Sequence, residues 1–303
     1  MKADVTRPYV HSRALDHAAD YLQLMRPRLA LLVLATAAVG WLLAAGNAPN
    51  WIALGHSLLA IGMLFAGASA LNQLLEQGTD ALMPRTANRP LPAGRLQPLE
   101  VLILGCGLSA GGLGILLAIG RPLAAGLGVF ALVSYVFVYT PLKKRTPHNT
   151  LIGAIPGALP PLMGWVTARG RLDGGALALF LIVFLWQIPH FLAIAWIYRD
   201  EYARAGLRMF PLFDPHGVRT GRQMVLFALV LIPASLLPVV MGFGGWITAV
   251  GAVILGADFL LASASFARQP TTPNARQVFR TSLVYLGGLL LLFVLGAAVR
   301  PGV

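Results

Sequence analysis

Charged residues and cysteine are scarce in this sequence. Only 11% of the 303 residues are charged, whereas 57% are hydrophobic, and the mean hydropathy is +0.73. A soluble domain usually carries about 25% charged residues, so this composition excludes a soluble globular protein and predicts one that resides in a bilayer. Because Cys106 is the single cysteine, an internal disulfide, a CxxCH haem attachment and a cysteine-based zinc site are also excluded.

The formal net charge of +12 would suit a nucleic-acid-binding protein, but the basic residues lie in short segments between apolar runs. Residues 1–21 are polar and of mixed charge, and they contain no apolar stretch followed by a small-residue cleavage site, as a cleaved signal peptide would require. We therefore expect no nucleic-acid partner, and we interpret residues 1–25 as a cytoplasmic N-terminal arm.

Nine apolar runs are long enough to cross the roughly 30 Å of hydrocarbon in a bilayer. They predict an all-α, polytopic integral membrane protein in which residues 26–303 form a single bundle of nine transmembrane helices around a central cavity. The predicted spans are 28–46, 51–74, 98–118, 123–140, 150–168, 176–198, 222–242, 245–266 and 280–299.

The distribution of basic residues predicts how this bundle is oriented. Of the 23 lysines and arginines, 19 fall on the side that holds the N-terminus, and an excess of Lys and Arg marks the cytoplasmic side of a membrane protein. We therefore expect an inner (cytoplasmic) membrane protein whose N-terminus and cavity mouth face the cytoplasm and whose C-terminus lies on the opposite side.

The second apolar run leads into Asn72, Glu76 and Asp80, which are spaced i, i+4 and i+8 and so share one helix face. Ionised carboxylates near hydrocarbon are costly and usually functional, and two like charges on adjacent turns repel unless a cation lies between them. An amide and two carboxylates form an all-oxygen ligand set, which favours Mg²⁺ over zinc. The sequence therefore predicts a magnesium site here.

Basic residues follow in the loops expected on the same membrane side. Guanidinium groups match phosphate oxygens, so the proline-stiffened segment after Asp80 predicts a diphosphate site rather than topological anchoring alone. The basic run that ends the fourth span is open to either interpretation. The candidate diphosphate-binding residues are Arg85, Arg89, Lys144 and Arg145.

A second acidic pair, Asp200 and Glu201, follows the sixth span. The chain has only 11 acidic residues, and these two should emerge on the same membrane face as Glu76 and Asp80. We expect them to bind a second Mg²⁺ or the other flank of one diphosphate, although a solvated helix end explains them too. The predicted metal ligands are Asn72, Glu76, Asp80 and Asp200, and Glu201 joins them as a predicted catalytic residue.

An allylic diphosphate suits such a site, because metal and arginine can stabilise the departing diphosphate while a lipid tail stays in the bilayer. The allylic carbocation left behind could be shielded by aromatic faces, although aromatic residues in membranes serve more often for packing. The aromatic candidates are Tyr139, Trp186, Phe191 and Trp196.

At these positions the sequence resembles the UbiA-type intramembrane prenyltransferases, over nearly the whole chain from Arg26 to the ninth span. The resemblance rests on the acidic motif from Asn72 to Asp80 and on the segment Arg85-Thr-x-Asn88-Arg89-Pro90-Leu that follows it. Glu76 stands where the family more often has aspartate. A haem-modifying branch is suggested by four further segments: Tyr139 to Thr146, Gly153 to Gly164, Trp186 to Phe191 and Asp200 to Pro211.

The resemblance implies a reaction in which farnesyl diphosphate alkylates a vinyl group of haem b, water adds, and haem O and diphosphate are released. It also implies cationic partners for the two haem propionates, such as Lys144, Arg145 or Arg208, and a haem A synthase or a terminal oxidase assembly pathway as recipient of the product. Under the same resemblance His190 would contact the iron or the edge of the haem, and a buried core histidine is the alternative interpretation. The residues expected to contact haem or the prenyl chain are Tyr139, Trp186, His190, Tyr202 and Arg208.

Three other functions remain open. A prenyltransferase for a quinone precursor or another aromatic acceptor typically has two acids at i, i+4, whereas Arg204 stands four residues after Asp200. A CDP-alcohol phosphotransferase also uses carboxylates and magnesium at a membrane, but its Asp-Gly and Ala-Arg signature is missing. A transporter or assembly factor with a charged gate would carry ionisable groups near the middle of the membrane, whereas these acids lie at span exits.

Overall fold

The computed structural model describes residues 9–46 and 49–298. Those residues contain no strand, and nine of their helices are long and apolar enough to cross a membrane, so the predicted all-α class and the nine predicted spans are confirmed. The first eight residues of the predicted arm and the end of the ninth predicted span lie outside the described residues. We number the spans 1 to 9: Pro27–Ala45, Trp51–Asp80, Pro98–Ala118, Pro122–Leu142, Asn149–Arg169, Gly174–Ile197, Val218–Val240, Trp246–Arg268 and Thr272–Gly296.

Short helices flank these spans. A helix at Tyr9–Leu24 precedes span 1, and span 6 is followed by a helix at Arg199–Arg204 and a 3₁₀ turn at Phe210–Phe213. The helix of span 9 continues to Ala298. Loops 81–97, 143–148, 198–217 and 269–271 lie at one end of the bundle, which we call the basic end.

Two spans are irregular, span 4 near the basic end and span 5 near its middle. Span 4 is α-helical over Pro122–Leu132, widens into a π-helix over Val133–Tyr139, and ends with Thr140–Leu142. Span 5 is divided at Ala158 into Asn149–Gly157 and Leu159–Arg169. A π-helical turn is rare and often marks a functional site, because it changes the direction of the side chains that follow it.

Span 2 is longer than its apolar run predicts. The hydrophobic stretch ends near residue 74, but the helix continues to Asp80, because backbone hydrogen bonds can extend a helix beyond the hydrocarbon. Span 9 likewise begins at Thr272, eight residues before its predicted start. The extension of span 2 places Asn72, Glu76 and Asp80 on one continuous helix.

The C-terminal part of the predicted N-terminal arm is docked against the bundle. Leu24 is fully buried with Leu91 and Leu96, and its carbonyl oxygen accepts hydrogen bonds from Ser69 Oγ and Gln73 Nε2, both at 2.8 Å. These contacts fix the chain immediately before span 1. They therefore also fix the position of the residue that opens that span.

Spans 5 and 6 are the most buried of the nine and form the centre of the bundle. Span 1 packs tightly against span 5, and glycines make the contact possible. A Cβ atom on Gly40 would overlap the carbonyl oxygen of Pro161, and one on Gly164 would overlap the carbonyl oxygen of Ala37. Small residues at such contacts let membrane helices approach closely.

We expect the substitution Gly164→Ala to destabilise the bundle by about 2 kcal/mol, because its methyl group forces the backbones of spans 1 and 5 apart. Thermal unfolding of the purified protein in detergent would show this as a lower midpoint. Gly114→Ala in span 3 is the matched control, since a Cβ there meets no atom within 4 Å. Equal midpoints for the two variants would contradict the packing argument.

Candidate active site

The C-terminal part of span 2 carries a cluster of buried polar and charged side chains. Asn72 is fully buried and Asp80 is 2% exposed, while Glu76 lies between them on the same helix face. Each of the three side chains contacts a partner from a different part of the chain. The predicted alignment of the three side chains is therefore present, and three further elements converge on it.

Glu76 pairs with Lys143, which follows span 4. Lys143 Nζ lies 2.6 Å from Glu76 Oε1, and the two side chains are only 14% and 12% exposed. Burial alone would lower the pKa of Lys143, but the neighbouring Tyr139 and Glu76 outweigh burial and raise it. The stability that comes from this raised lysine pKa is therefore fully present below the ordinary lysine pKa and is lost as the pH rises through the higher folded value.

Asp80 pairs with Arg89 of the proline-rich loop that follows span 2. Arg89 Nη1 donates to Asp80 Oδ2 at 2.6 Å, and Thr86 Oγ1 donates to the Asp80 carbonyl oxygen at 2.8 Å. Burial and the nearby cation of Arg26 both lower the pKa of Arg89. The two guanidinium groups repel each other, so an anion that lies near both of them is stabilised by both positive charges.

Arg26 is a residue of this site that the sequence analysis did not assign. It adopts a left-handed conformation with φ of 49° and is the only described non-glycine residue with positive φ. Its Nη2 donates to Asn72 Oδ1 at 3.1 Å, while its buried Nε has no partner. A strained backbone conformation is often found at a functional site. The sequence signal that could have pointed to Arg26 is the Arg-Pro pair at the start of span 1.

The π-helical turn of span 4 aims three side chains at this cluster. Asn72 Nδ2 donates to Thr140 Oγ1 at 2.9 Å, and the Tyr135 hydroxyl donates to Asn72 Oδ1 at 3.4 Å. The ring of Tyr139 stacks on Tyr135 with centroids 5.6 Å apart. It also packs against Gly153, where a Cβ would overlap the ring. Two aromatic faces, one of them predicted, therefore lie beside the cluster.

The charges of the cluster do not balance. Among the described residues, two carboxylates, Glu76 and Asp80, lie with three cations, Arg26, Arg89 and Lys143, and Arg26 has only a neutral side-chain partner. The second oxygen of each carboxylate has no hydrogen bond or ion pair to a described residue. The arrangement can therefore bind a cation through the free carboxylate oxygens and an anion through the cations.

The second predicted acidic pair is divided by the short helix that follows span 6. The side chain of Asp200 is 87% exposed and lies 3.9 Å from Arg199, whereas Oε2 of Glu201 is buried without a partner. Successive residues on a helix point about 100° apart, so only one of the two faces the interior. No group of three or more His, Cys, Asp or Glu side chains that could hold a metal ion occurs in the described part of the chain, and Asp200 is not brought to Glu76 and Asp80.

The other predicted phosphate-binding residues lie around the cluster rather than within it. The guanidinium of Arg85 lies over the rings of Tyr198 and Tyr202, at 4.6 and 5.6 Å from their centroids, and donates to the Tyr202 hydroxyl at 3.2 Å. Lys144 and Arg145 are exposed and line a cavity of about 260 Å³. Their predicted role in diphosphate binding stays a prediction.

The predicted haem-contacting residues of span 6 are buried against span 9. His190 Nδ1 lies 2.7 Å from Ser282 Oγ, and its ring stacks between Trp186 and Phe279 at 4.8 and 5.1 Å. Trp186 Nε1 donates to the Ser282 carbonyl oxygen at 2.6 Å. The guanidinium of Arg208 lies over the ring of Phe213. The geometry of His190 matches a buried, hydrogen-bonded core histidine.

We expect Lys143→Gln to lower the free energy of unfolding by about 3 kcal/mol, because it leaves the Glu76 carboxylate buried and unpaired. Adding Glu76→Gln should recover part of that loss, since the double variant buries no unpaired charge. Thermal or denaturant unfolding in detergent measures both, with the exposed neighbour Lys144→Gln as the matched control. Strictly additive losses in the double variant would refute the coupling.

Solved structures with the same fold include two membrane proteins of low sequence identity. A structure of digeranylgeranylglyceryl phosphate synthase is 18% identical, has a TM-score of 0.78, and covers 93% of this chain and 99% of its own. A UbiA homologue from Archaeoglobus fulgidus, solved with DMAPP and Mg²⁺, is also 18% identical, with a TM-score of 0.65 and coverage of 91% and 99%. These likenesses establish the fold.

Relatives of higher identity align with nearly the whole length of the chain. The protoheme IX farnesyltransferase of Solibacter usitatus is 42% identical over 285 residues, which are 90% of this chain and 98% of the relative. The protein of the same name from Myxococcus xanthus is 46% identical over 274 residues, 90% of this chain and 92% of the relative. The family model for UbiA prenyltransferases matches residues 33–296. The chain therefore belongs to the UbiA prenyltransferase family.

Proposed function

We propose that this chain transfers a farnesyl group from farnesyl diphosphate to a vinyl side chain of protohaem IX, with addition of water, and so produces haem O and diphosphate. The names of its relatives and its family support this proposal. The observation that carries it is the buried cluster at the end of span 2, where three cations lie with two carboxylates. A cluster with an excess positive charge suits a complex of Mg²⁺ and a diphosphate, whose net charge is negative.

The donor set at this cluster fits magnesium. Glu76 and Asp80 each offer one free carboxylate oxygen, and hard oxygen ligands are those that Mg²⁺ prefers. Asn72 would complete the set after releasing one of the two hydrogen bonds that its amide oxygen accepts. When bound, the ion would supply positive charge to the departing diphosphate. The presence of Mg²⁺ in the Archaeoglobus fulgidus homologue supports this assignment.

The cations of the cluster are the groups that would bind the leaving diphosphate. In the reaction the bond between C1 of the farnesyl chain and the diphosphate oxygen breaks, and its electron pair leaves with the diphosphate. Arg89 and Lys143 can exchange a carboxylate partner for a phosphate oxygen, and Arg26 has a buried Nε without a partner. Charge-assisted hydrogen bonds of this kind stabilise the charge that develops on the leaving group.

The stacked rings of Tyr135 and Tyr139 lie where they can shield the allylic cation. The vinyl group of the acceptor then forms a bond to C1, and the positive charge moves to the vinyl carbon attached to the porphyrin. Water adds at that carbon and loses a proton. We assign the second acidic flank of the site to Glu201, because its Oε2 is the buried carboxylate oxygen without a partner.

The multi-pass fold resides in a membrane, and we propose the inner membrane with the basic end toward the cytoplasm. Those loops and the helix ends that adjoin them together hold most of the lysines and arginines of the described residues, as the positive-inside rule requires. In this orientation farnesyl diphosphate enters from the cytoplasm with its tail in the bilayer. The C-terminus then lies on the opposite side.

The purified protein should convert farnesyl diphosphate and haem b to haem O, and a chelator should stop the reaction until Mg²⁺ is added back. Asp80→Asn should lower turnover at least about a hundredfold, because it removes a charged ligand with little change of shape. Product analysis by mass spectrometry measures both effects. Prenylation of 4-hydroxybenzoate instead of haem b would show that the proposed acceptor is wrong. Wild-type turnover by Asp80→Asn would refute the role of the cluster.

The different exposure of the two neighbouring acids predicts different effects on turnover. Glu201→Gln should lower the rate of farnesyl transfer at least about tenfold, because it removes the only carboxylate of the pair that faces the interior. Asp200→Asn should leave the rate within about twofold, since its side chain is solvated. Steady-state rates of the two variants, with equal amounts of folded protein, decide this. The reverse order of effects would restore Asp200 to the site.

A further inference from the structure

The basic run after span 4 divides its cations between two places. Lys143 faces inward and pairs with Glu76 at 2.6 Å. The next two residues, Lys144 and Arg145, are exposed and line a separate cavity of about 260 Å³ between the ends of spans 2 and 4. Three consecutive basic residues therefore lie in two different places, one in the buried cluster and two in the cavity.

Two cations of the cavity have no partner within the described part of the chain. Neither Lys144 nor Arg145 forms an ion pair or a side-chain hydrogen bond with any residue in 9–46 or 49–298. The carboxylate in the cavity wall is Glu76, and Lys143 already balances its charge. The cavity therefore offers two positive charges to a ligand and suits a dianion.

The rest of the lining is apolar apart from the hydroxyls of Thr79 and Thr140, each of which donates to a backbone carbonyl oxygen. The apolar lining consists of Leu75, which is 51% exposed, Pro141 and the buried Leu207. A volume of about 260 Å³ is below the roughly 300 Å³ at which pockets begin to enclose a whole drug-sized ligand. The cavity can therefore hold only the charged edge of a large ligand whose apolar body extends along the protein.

The cavity is also adjacent to the proposed reaction site. Glu76 belongs to both, since one carboxylate oxygen pairs with Lys143 in the cluster while its side chain lines the cavity. A ligand anchored here lies next to the place where the farnesyl diphosphate would bind. Such a position suits the second substrate better than a structural lipid.

We propose that this cavity binds the two propionate carboxylates of the porphyrin acceptor, with Lys144 and Arg145 as their cationic partners. This inference rests on the proposed function, because that function supplies an acceptor with two adjacent carboxylates on a flat apolar body. The guanidinium of Arg145 can pair with one carboxylate through two parallel hydrogen bonds, and the ammonium of Lys144 supplies a point charge to the other. The diphosphate is then bound by the inner cations alone.

The test uses the double variant Lys144→Gln/Arg145→Gln and the dimethyl ester of haem b, which lacks both negative charges. Binding is measured from the absorbance of the haem, and KM is measured for each substrate. The wild-type protein should bind haem b at least about tenfold more tightly than its ester. The double variant should bind both forms with the weaker affinity, while its KM for farnesyl diphosphate stays at the wild-type value.

Arg219→Gln is the matched control, since Arg219 is an exposed cation at the same end of the bundle but outside the cavity. Its affinity for haem b should equal that of the wild-type protein. An equal loss of affinity in this control would reduce the effect to general electrostatic attraction and overturn the inference.

Three further results would also overturn the inference. A raised KM for farnesyl diphosphate with unchanged haem affinity would place the two cations on the diphosphate. An effect of the double variant that appears in vesicles of anionic phospholipid and disappears in phosphatidylcholine would identify a lipid headgroup as the occupant. Weakening of haem b and ester by the same factor would exclude the carboxylates.

The binding measurement keeps this inference separate from the proposed function. Charge-dependent binding of haem b without formation of haem O would refute the proposed reaction and leave the carboxylate site supported. Formation of haem O with no change of haem affinity in the double variant would support the proposed reaction and refute the carboxylate site. A wild-type protein that binds no form of haem would refute both.

Discussion

The structure depends on the pairing of two buried carboxylates with cations from other parts of the chain. Glu76 and Asp80 extend from one helix and pair with Lys143 and Arg89, which come from loops after spans 4 and 2. A buried charge without a partner is strongly destabilising, so these pairs hold both loops over the end of span 2. The loops at the basic end are thereby fixed around the place where the substrate diphosphate is proposed to bind.

A site held by such pairs is prepared for a ligand that carries charges of both signs. Among the residues that the structure describes, each carboxylate keeps one free oxygen, and Arg26 adds a cation whose only side-chain partner is the neutral Asn72. A metal ion and a diphosphate can therefore bind by exchanging partners with groups already in place. Once the ligands are bound, these charged groups need little reorganisation when charge develops on the leaving group. Such preorganisation is the main source of electrostatic catalysis.

Much of this arrangement follows from local sequence patterns, and the rest does not. Apolar runs predict the nine spans, and the i, i+4, i+8 spacing predicts the acidic face of span 2, because both depend on helix geometry alone. The partner of Glu76 depends instead on how span 4 is turned by its π-helical segment, and that was not predicted. Asp200 and Glu201 must point in different directions because they are successive residues of one helix, but which of them faces inward depends on how that helix packs, and that was not predicted.

The most direct test of the central claim is a structure determined with Mn²⁺ in place of Mg²⁺ and a farnesyl diphosphate analogue that cannot ionise. Anomalous scattering would locate the metal. We predict Mn²⁺ bound to carboxylate oxygens of Glu76 and Asp80, with Lys143 and Arg89 moved onto the diphosphate. A diphosphate bound elsewhere, with both ion pairs intact and no metal on these carboxylates, would contradict it.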